Sequence, residues 1–301
     1  MGNDAALDMG DKREGESFRV FCYGGAKRFE VRRLGIRSFR CYREGEFEFG
    51  AGLNLVVGRN GVGKTSLLEA VCMVLRLQSP RSAKPGPCVA WGERNFCLEG
   101  DFVEIGEGGW ERGVRLAVEN GEDGRRLWID GDCVRDSDRY LSLGRVVWFS
   151  GEDRELVRGS GTMRRRYLDF LCLQLFPGYL KVLRDYERAL RSRNYLLRMG
   201  ARRAEVEAFD EPLAGLGKRL QECRQWVMPK VKERADEVVR WLTDGVENVE
   251  VNYLPSGGSE LLKRLRENYE EDQLLRMTTL GPHRDDFAVL INGRSAGDYA
   301  S

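Results

Sequence analysis

The fold of this chain is decided by the stretch LNLVVGRNGVGKTS, residues 53–66. An apolar run comes first, and a glycine-rich loop follows in which Gly58, Gly63, Lys64 and Thr65 complete the pattern GxxxxGK[ST]. This is the P-loop pattern, which stands between a β-strand and a helix and holds the phosphate groups of a nucleotide. The stretch therefore predicts an α/β fold with a nucleotide site.

Each position of the loop has a physical role in phosphate binding. Glycine has no Cβ, so the backbone at Gly61 and Gly63 can curl and turn its N–H groups toward phosphate oxygens. We expect Lys64 to contact the β- and γ-phosphates and the hydroxyl of Thr65 to be a ligand of Mg²⁺. The expected ligands are ATP and Mg²⁺, and the predicted nucleotide-binding residues are Gly58, Arg59, Asn60, Gly61, Val62, Gly63, Lys64, Thr65 and Ser66.

The residues on both sides of the loop carry the periodicities of a strand and a helix. Residues 53–57 form a short apolar run before the loop. After it, five apolar residues fall on one helical face, namely Leu67, Leu68, Val71, Val74 and Leu75. We therefore expect a strand, a loop and a helix in that order, which is the context that a P-loop needs.

The composition is that of a globular protein. The chain has 301 residues, of which 42% are hydrophobic and 32% charged, and its net charge is only +1. Binding to nucleic acid must therefore depend on a local basic surface. The eight cysteines include no CxxC pair, which argues against a zinc site. No stretch approaches the 18 or so apolar residues of a membrane span and no signal peptide is visible, so we predict a cytoplasmic protein without a membrane partner.

Changes of pattern divide the chain into four predicted segments. Residues 1–28 are polar and aperiodic, which predicts a disordered or loosely packed extension. We predict an ATPase lobe over residues 29–160, a helical arm over residues 161–260, and a return to the ATPase lobe over residues 261–301.

The ATPase lobe is expected to contain an antiparallel meander. Glycine-containing turns near residues 107–109, 120–121 and 130–131 separate short strands there. A small-molecule kinase or a GTPase would normally continue into parallel βαβ units, so the meander favours an ATP-binding-cassette type of ATPase by analogy of fold. A further apolar run, residues 145–149, predicts another strand.

The later part of the chain predicts helices and a final hairpin. Pro177-Gly178 separates two helices, and a third helix over residues 213–243 is expected to break or kink at Pro229. Residues 261–275 predict another amphipathic helix. Asn292-Gly293 predicts a hairpin turn.

A basic stretch on the helical arm suggests contact with DNA. Residues 158–203 contain twelve Arg or Lys and only three acidic residues. Five of the arginines recur at helical spacing, which would place them along one stripe that suits a phosphate backbone. The alternative is an ordinary solvated face paired with nearby acids. The predicted DNA-binding residues are Arg184, Arg188, Arg191, Arg198 and Arg202.

From about residue 30 onward the chain resembles the RecF family of bacterial recombination mediator ATPases. The resemblance rests on GRNGVGKTSLLEAV, FSGEDRELVRGSGTMRRRYLDFL, RDYERALRSRNYLLR and TTLGPHRDDFAVLINGR. It implies a P-loop ATPase head of the ABC/SMC type, with a mixed sheet, an antiparallel subdomain and an inserted helical arm. It also implies a slow ATPase of replication, recombinational repair and the SOS response, which binds single-stranded and gapped DNA. In the family the protein dimerises on ATP and works with RecR and RecO to load RecA.

The chain departs from the family pattern near its last residues. The family continues with a signature beginning Ser-x-Gly-Gln and with a Walker B strand ending in acids, and neither is present in this sequence. The apolar run 145–149 is followed by Ser150 and Gly151 where a Walker B strand needs Asp. We therefore expect nucleotide binding with poor hydrolysis, in a truncated or split gene product. A non-hydrolysing, nucleotide-gated module that binds DNA or a partner is the main alternative, and a small-molecule kinase is a weaker one.

Two further groups of residues allow more than one interpretation. His283, the only histidine, lies in the segment GPHRDD, where we favour a positioning role over direct chemistry. Arg164, Arg165 and Arg166 could sense the phosphate state of the nucleotide or could anchor the start of the helical arm.

Overall fold

The structure is a computed structural model that describes residues 28–82, 86–106, 108–122 and 124–299. Of Arg28 and Tyr299 it describes only the backbone. The predicted N-terminal extension, residues 1–28, otherwise lies outside the described residues. The chain divides into two compact units, Met1–Trp148 and Phe149–Ser301.

The first unit contains a six-stranded sheet in the part of the chain that the structure describes. Its strands are β1 (Arg28–Phe39), β2 (Tyr42–Glu48), β3 (Asn95–Ile105), β4 (Glu111–Gly121), β5 (Gly124–Ile129) and β6 (Asp132–Val134). Their order is β2-β1-β3-β4-β5-β6, and every neighbouring pair is antiparallel. The predicted meander is confirmed in β3 to β6. Asp130 and Gly131 both have positive φ angles, 52° and 90°, as a tight hairpin turn requires.

Helix α1 (Lys64–Arg76) packs on one face of this sheet, and a short helix α2 (Ser137–Leu141) follows β6. Every second residue of β3 is buried, so that Phe96, Leu98 and Phe102 face the same core. Leu67 and Val74 of α1 belong to that core. The predicted helix therefore forms with most of its apolar face on the sheet, but Leu68, which was predicted on that face, is exposed.

The two apolar runs predicted as strands, residues 53–57 and 145–149, are not strands in the structure. Val56 and Val146 pack against the core of the first unit. Other large apolar side chains of the two runs point to solvent. Leu53, for example, is 96% exposed. A strand is defined by hydrogen bonds to a neighbouring strand, and no strand of the described residues pairs with either run. The loop and helix of the P-loop are formed without the predicted strand.

The second unit combines helices with a small sheet. Its helices are α3 (Glu155–Arg158), α4 (Gly161–Leu175), α5 (Tyr179–Met199), α6 (Arg203–Glu207), α7 (Asp210–Leu242), α8 (Leu261–Glu267), α9 (Tyr269–Leu275) and α10 (Ala296–Tyr299). Its strands β7 (Val249–Leu254), β8 (Asp286–Ile291) and β9 (Arg294–Ser295) form an antiparallel sheet in that order. Among the residues with described placement, no helix is long and apolar enough to cross a membrane.

The helix limits confirm some sequence signals and correct others. The break at Pro177-Gly178 is confirmed, since Gly178 has a φ of 82° immediately before α5. The alternative that Pro229 breaks the third helix is wrong, because α7 continues through it as one helix of 33 residues. Residues 261–275 form two helices separated at Asn268. The hairpin at Asn292-Gly293 is confirmed by φ angles of 49° and 74°.

The compact units divide the chain at a different place from the predicted segments, whose limits stay a prediction. We predict that the helical arm begins at residue 161 and that residues 261–301 return to the ATPase lobe. In the structure the division falls between Trp148 and Phe149, and the final segment groups with the helices. It does so because β8 pairs with β7 and α8 packs against α7.

Candidate functional site

The P-loop has the backbone shape of a phosphate nest. Gly61 and Gly63 have φ angles of 84° and 102°, in the left-handed region that favours glycine. The first hydrogen bond of α1 runs from the Leu67 N–H to the Gly63 carbonyl, 2.9 Å. The N–H groups of Lys64, Thr65 and Ser66 therefore precede the helical hydrogen bonds and can donate to a bound anion.

The side chain of Lys64 lies along the same loop. Its Nζ donates to the carbonyl oxygens of Gly58 and Arg59, each at 2.7 Å. An ammonium group has three donors, so one remains for a phosphate oxygen. The other predicted residues surround this position. Thr65 lies in the first turn of α1 and is exposed, Ser66 is half-buried, and the exposed loop residues are Gly58, Arg59, Asn60, Gly61 and Val62.

Gly63 is held in place by the turn between β1 and β2. The Tyr42 hydroxyl donates to the Gly63 carbonyl at 3.2 Å. A Cβ atom at Gly63 would lie 2.7 Å from the Cys41 Sγ and 2.8 Å from the Tyr42 hydroxyl. Gly63 is therefore required by both its backbone angle and its surroundings. No local sequence pattern indicates this role of Tyr42, because its contact joins residues 21 positions apart.

A buried carboxylate anchors α1 behind the loop. Glu69 is fully buried, and its oxygens accept hydrogen bonds from Arg40 at 2.5 and 3.0 Å and from the hydroxyl of Ser79. Arg81 adds an ion pair at 3.3 Å. The hydrogen bonds to Glu69 raise the pKa of the Arg40 guanidinium, which stays charged. The helix that begins at the P-loop is thus tied to two neighbouring loops through one satisfied charge cluster.

These features fit a nucleotide phosphate with Mg²⁺. The nest of glycines, the unpaired helix N-terminus and the ammonium of Lys64 together favour an anion. The Thr65 hydroxyl is accessible at the position where a P-loop holds its metal ion. The chemistry that Mg²⁺ supplies to such a site is neutralisation of phosphate charge.

The predicted arginine stripe lies on the second unit, where four of its five residues belong to one helix. Arg184, Arg188, Arg191 and Arg198 belong to α5 and are exposed. Arg202 does not, because Gly200 ends α5 with a φ of 65°. Arg202 instead caps the start of α6, where its backbone N–H donates to Glu205 at 2.9 Å.

The twelve basic residues counted over residues 158–203 contribute less positive charge to the surface than their number implies. Arg193, one of the twelve counted basic residues, is fully buried between Asp210 and Asp272, with N–O distances of 2.8 and 2.6 Å. Arg188 and Arg191 form exposed ion pairs with acids of their own helix, at 3.1 and 3.7 Å. Arg193 follows Arg184 by nine residues, which places it on the opposite side of the helix, so its separation from the stripe is already present in the sequence spacing.

Arg164 and Arg165 anchor the start of α4. Arg164 donates to both carboxylate oxygens of Asp286, at 2.6 and 3.0 Å, and to the carbonyl of Gly159 at 2.8 Å. Arg165 donates to the carbonyl of Asp285 at 3.1 Å. These contacts favour the anchoring interpretation over the sensing one for both residues.

His283 and Asp285 are part of the buried polar interior of the second unit. The Nε2 of His283 is 2.9 Å from the Thr278 carbonyl, which can only accept, so Nε2 carries the proton. The Nδ1 atom then accepts from the Tyr186 hydroxyl at 2.7 Å. Burial lowers the pKa of His283 and keeps the ring neutral. Both ring nitrogens are engaged, which supports a positioning role.

Asp285 joins several elements. It is fully buried and accepts from Arg224 at 2.7 Å, from Gln221 at 2.8 Å, from the Ser256 N–H at 2.8 Å and from the Tyr253 hydroxyl. Its oxygens are thereby used in holding α7, β7 and the segment before β8 together. This arrangement makes Asp285 a structural carboxylate.

The fold and the P-loop define a P-loop nucleotide-binding protein of the α/β class, and the comparisons agree. A family model for an AAA domain matches residues 33–165. The DNA replication and repair protein RecF of Myxococcus xanthus is 33% identical over 283 residues, which are 89% of this chain and 73% of that protein. RecF of Heliobacterium modesticaldum is 33% identical over 90% of this chain and 76% of its own length.

Solved structures give the same result. The recombination mediator protein RecF-ATPrS in the RecFOR pathway superposes with a TM-score of 0.81 at 28% identity, covering 91% of this chain and 76% of that one. RecF-ATP also has a TM-score of 0.81, at 27% identity and over 93% of this chain. The chain belongs to the RecF family of DNA replication and repair proteins. The fold class implied by the resemblance, a P-loop ATPase head of the ABC/SMC type with a helical arm, is confirmed.

Proposed function

We propose that this chain binds ATP with Mg²⁺ at the P-loop and DNA at the arginine face of α5, defined as Arg184, Arg188, Arg191 and Arg198. In this role it acts in replication and recombinational repair, on single-stranded or gapped DNA, and assists the loading of RecA with RecR and RecO. The observation that carries the proposal is the P-loop itself, where Lys64 and the first N–H groups of α1 converge. The solved RecF structure that is named with ATP supports it.

Replacing Lys64 tests the nucleotide site. A charge-assisted hydrogen bond is worth about 1.5 to 3 kcal/mol, so Lys64→Ala should weaken the binding of a fluorescent ATP analogue about 10- to 100-fold. Thr65→Ala should remove the gain in affinity that Mg²⁺ provides. Lys218→Ala, at an exposed lysine of α7, is the matched control. Unchanged affinity in Lys64→Ala would show that the loop is not the nucleotide site.

Charge reversal on α5 tests the DNA site. Phosphate contacts release counterions, so their loss weakens binding and flattens its salt dependence. We expect the double variant Arg184→Glu with Arg191→Glu to lower DNA affinity at least about tenfold near 0.1 M salt. At this salt concentration the Debye length is roughly 10 Å, so charges in contact with the phosphates still interact strongly. The nucleotide affinity should not change. Arg234→Glu with Arg240→Glu changes the net charge equally on exposed positions of α7 and is the control. Equal DNA affinity in the two double variants would exclude the α5 face.

The proposed homodimer requires a separate assay. The ATP-dependent homodimer is proposed from the family alone, as are the partners RecR and RecO. Size-exclusion chromatography with a slowly hydrolysed ATP analogue should show a dimer peak in the wild type and none in Lys64→Ala. A monomer under both conditions would remove dimerisation from the proposal and leave nucleotide binding in place.

A further inference from the structure

One aromatic side chain interrupts the arginine face of α5. Tyr195 follows Arg191 by four residues and precedes Arg198 by three, so it continues the alternating spacing of Arg184, Arg188 and Arg191. Residues at these steps lie on one side of a helix. Along the helix axis the ring lies about 6 Å from the level of Arg191 and about 4.5 Å from that of Arg198. The α5 face thus presents an aromatic ring between cations.

Tyr195 differs from the other two tyrosines of α5. Tyr179 is buried and donates to Asp169 at 2.6 Å, and Tyr186 is buried against His283. Tyr195 is 54% exposed. Within the described residues its side chain has no hydrogen bond, ring stack or cation–π contact. Its ring is therefore free to contact a ligand of α5.

We propose that Tyr195 stacks on a base of single-stranded nucleic acid while the neighbouring arginines contact the phosphates. The inference rests on the proposed DNA-binding role of α5 and names the residue that distinguishes single strands from duplex. Arginines bind phosphates of either form, because phosphate contacts carry no sequence or base information. A flat aromatic ring is useful only where a base face is accessible, and in a duplex the bases are stacked on each other.

The charge pattern argues for this occupant. Four arginines on one face fit a polyanion. Aromatic rings set within a cationic groove are the arrangement that proteins use to bind single strands without sequence preference. Arg191 and Arg198 would hold the backbone on either side of the stacked base.

The test compares three ligands: a mixed-sequence single strand, a strand of the same length that is abasic at every position, and the matching duplex. Base stacking on an aromatic ring is worth about fivefold in affinity or more. Tyr195→Ala should lose at least that factor on the single strand, and little on the abasic strand or the duplex. The salt dependence should keep its slope, since no ion contact is lost. Tyr195→Phe should bind as the wild type does, because the ring is retained.

The control is Met199→Ala, which removes an exposed apolar side chain one turn further along α5. Equal losses on single strand and duplex, no loss on the single strand, or failure of Tyr195→Phe to retain affinity would each overturn the proposal. If the charge-reversed arginine variant loses DNA affinity while Tyr195→Ala does not, only this inference fails. If the wild type binds no DNA, the proposed function fails with it.

Discussion

At the residue scale, Arg193 shows how a basic residue can contribute to stability and not to a basic surface. Its guanidinium is fully buried and donates to Asp210, Asp272 and the hydroxyl of Thr278, at 2.8, 2.6 and 2.9 Å. The contacts join α5, α7 and α9. A buried ion pair adds little when intact, but removal of one partner leaves an uncompensated charge.

We therefore predict that Arg193→Ala destabilises the protein by about 3 to 5 kcal/mol, because two buried carboxylates lose their partner. Urea denaturation followed by circular dichroism measures the change. Arg198→Ala, an exposed arginine of the same helix, should change the stability by no more than about 0.5 kcal/mol. Similar denaturation midpoints for the two variants would contradict the role of Arg193.

At the element scale, turns could be predicted from local sequence, whereas strands depended on tertiary pairing. The turn sequences Asp130-Gly131 and Asn292-Gly293 were predictable, because positive φ angles at both residues are a property of the residues themselves. The separation of α4 from α5 at Pro177-Gly178 was predictable because proline and glycine interrupt a helix locally. That the run at residues 53–57 is not a strand could not be predicted, because strand formation depends on a partner strand that is distant in sequence.

The helix limits show the same distinction. Pro229 lies within α7, and the helix continues because packing against the rest of the unit outweighs the lost backbone hydrogen bond. The gap between α8 and α9 at Asn268 has a tertiary cause. The side chain of Asn268 donates to Thr279 at 2.6 Å, and Asp272 accepts from the Thr279 N–H at 2.9 Å, so the chain bends to make these contacts. Periodicity alone could not reveal them.

At the scale of the whole molecule, stability should depend on pH through His283. Burial, with Arg284 and Arg165 nearby, lowers the pKa of its imidazole in the folded protein from the ordinary value of 6.5. The carbonyl of Thr278 and Asp285 act in the opposite direction. Between the folded pKa and 6.5 the unfolded chain binds more protons, so the folded state loses stability as the pH falls through this window.

We predict that the free energy of unfolding of the wild type falls as the pH drops below about 6.5, and that His283→Gln removes this part of the pH dependence. Carboxylates also titrate toward pH 4, so the measured quantity is the difference between the two proteins at each pH. A difference that stays constant from pH 7.5 to pH 5 would show that the pKa of His283 is the same in the folded and unfolded states.

By itself the sequence determined the P-loop, the order of the meander strands, the turns at Asp130-Gly131 and Asn292-Gly293 and the position of four arginines on α5; the turn predicted at Asn120-Gly121 instead lies within β4. These depend on residue types at short spacing, where glycine angles and helical periodicity act locally. The tertiary structure decided that Gly63 is held by Tyr42, that Arg193 is buried, that Arg202 leaves the stripe and that the run at residues 53–57 is not a strand. Each of these depends on which distant residue fills the space beside it, and that choice is made only when the chain packs.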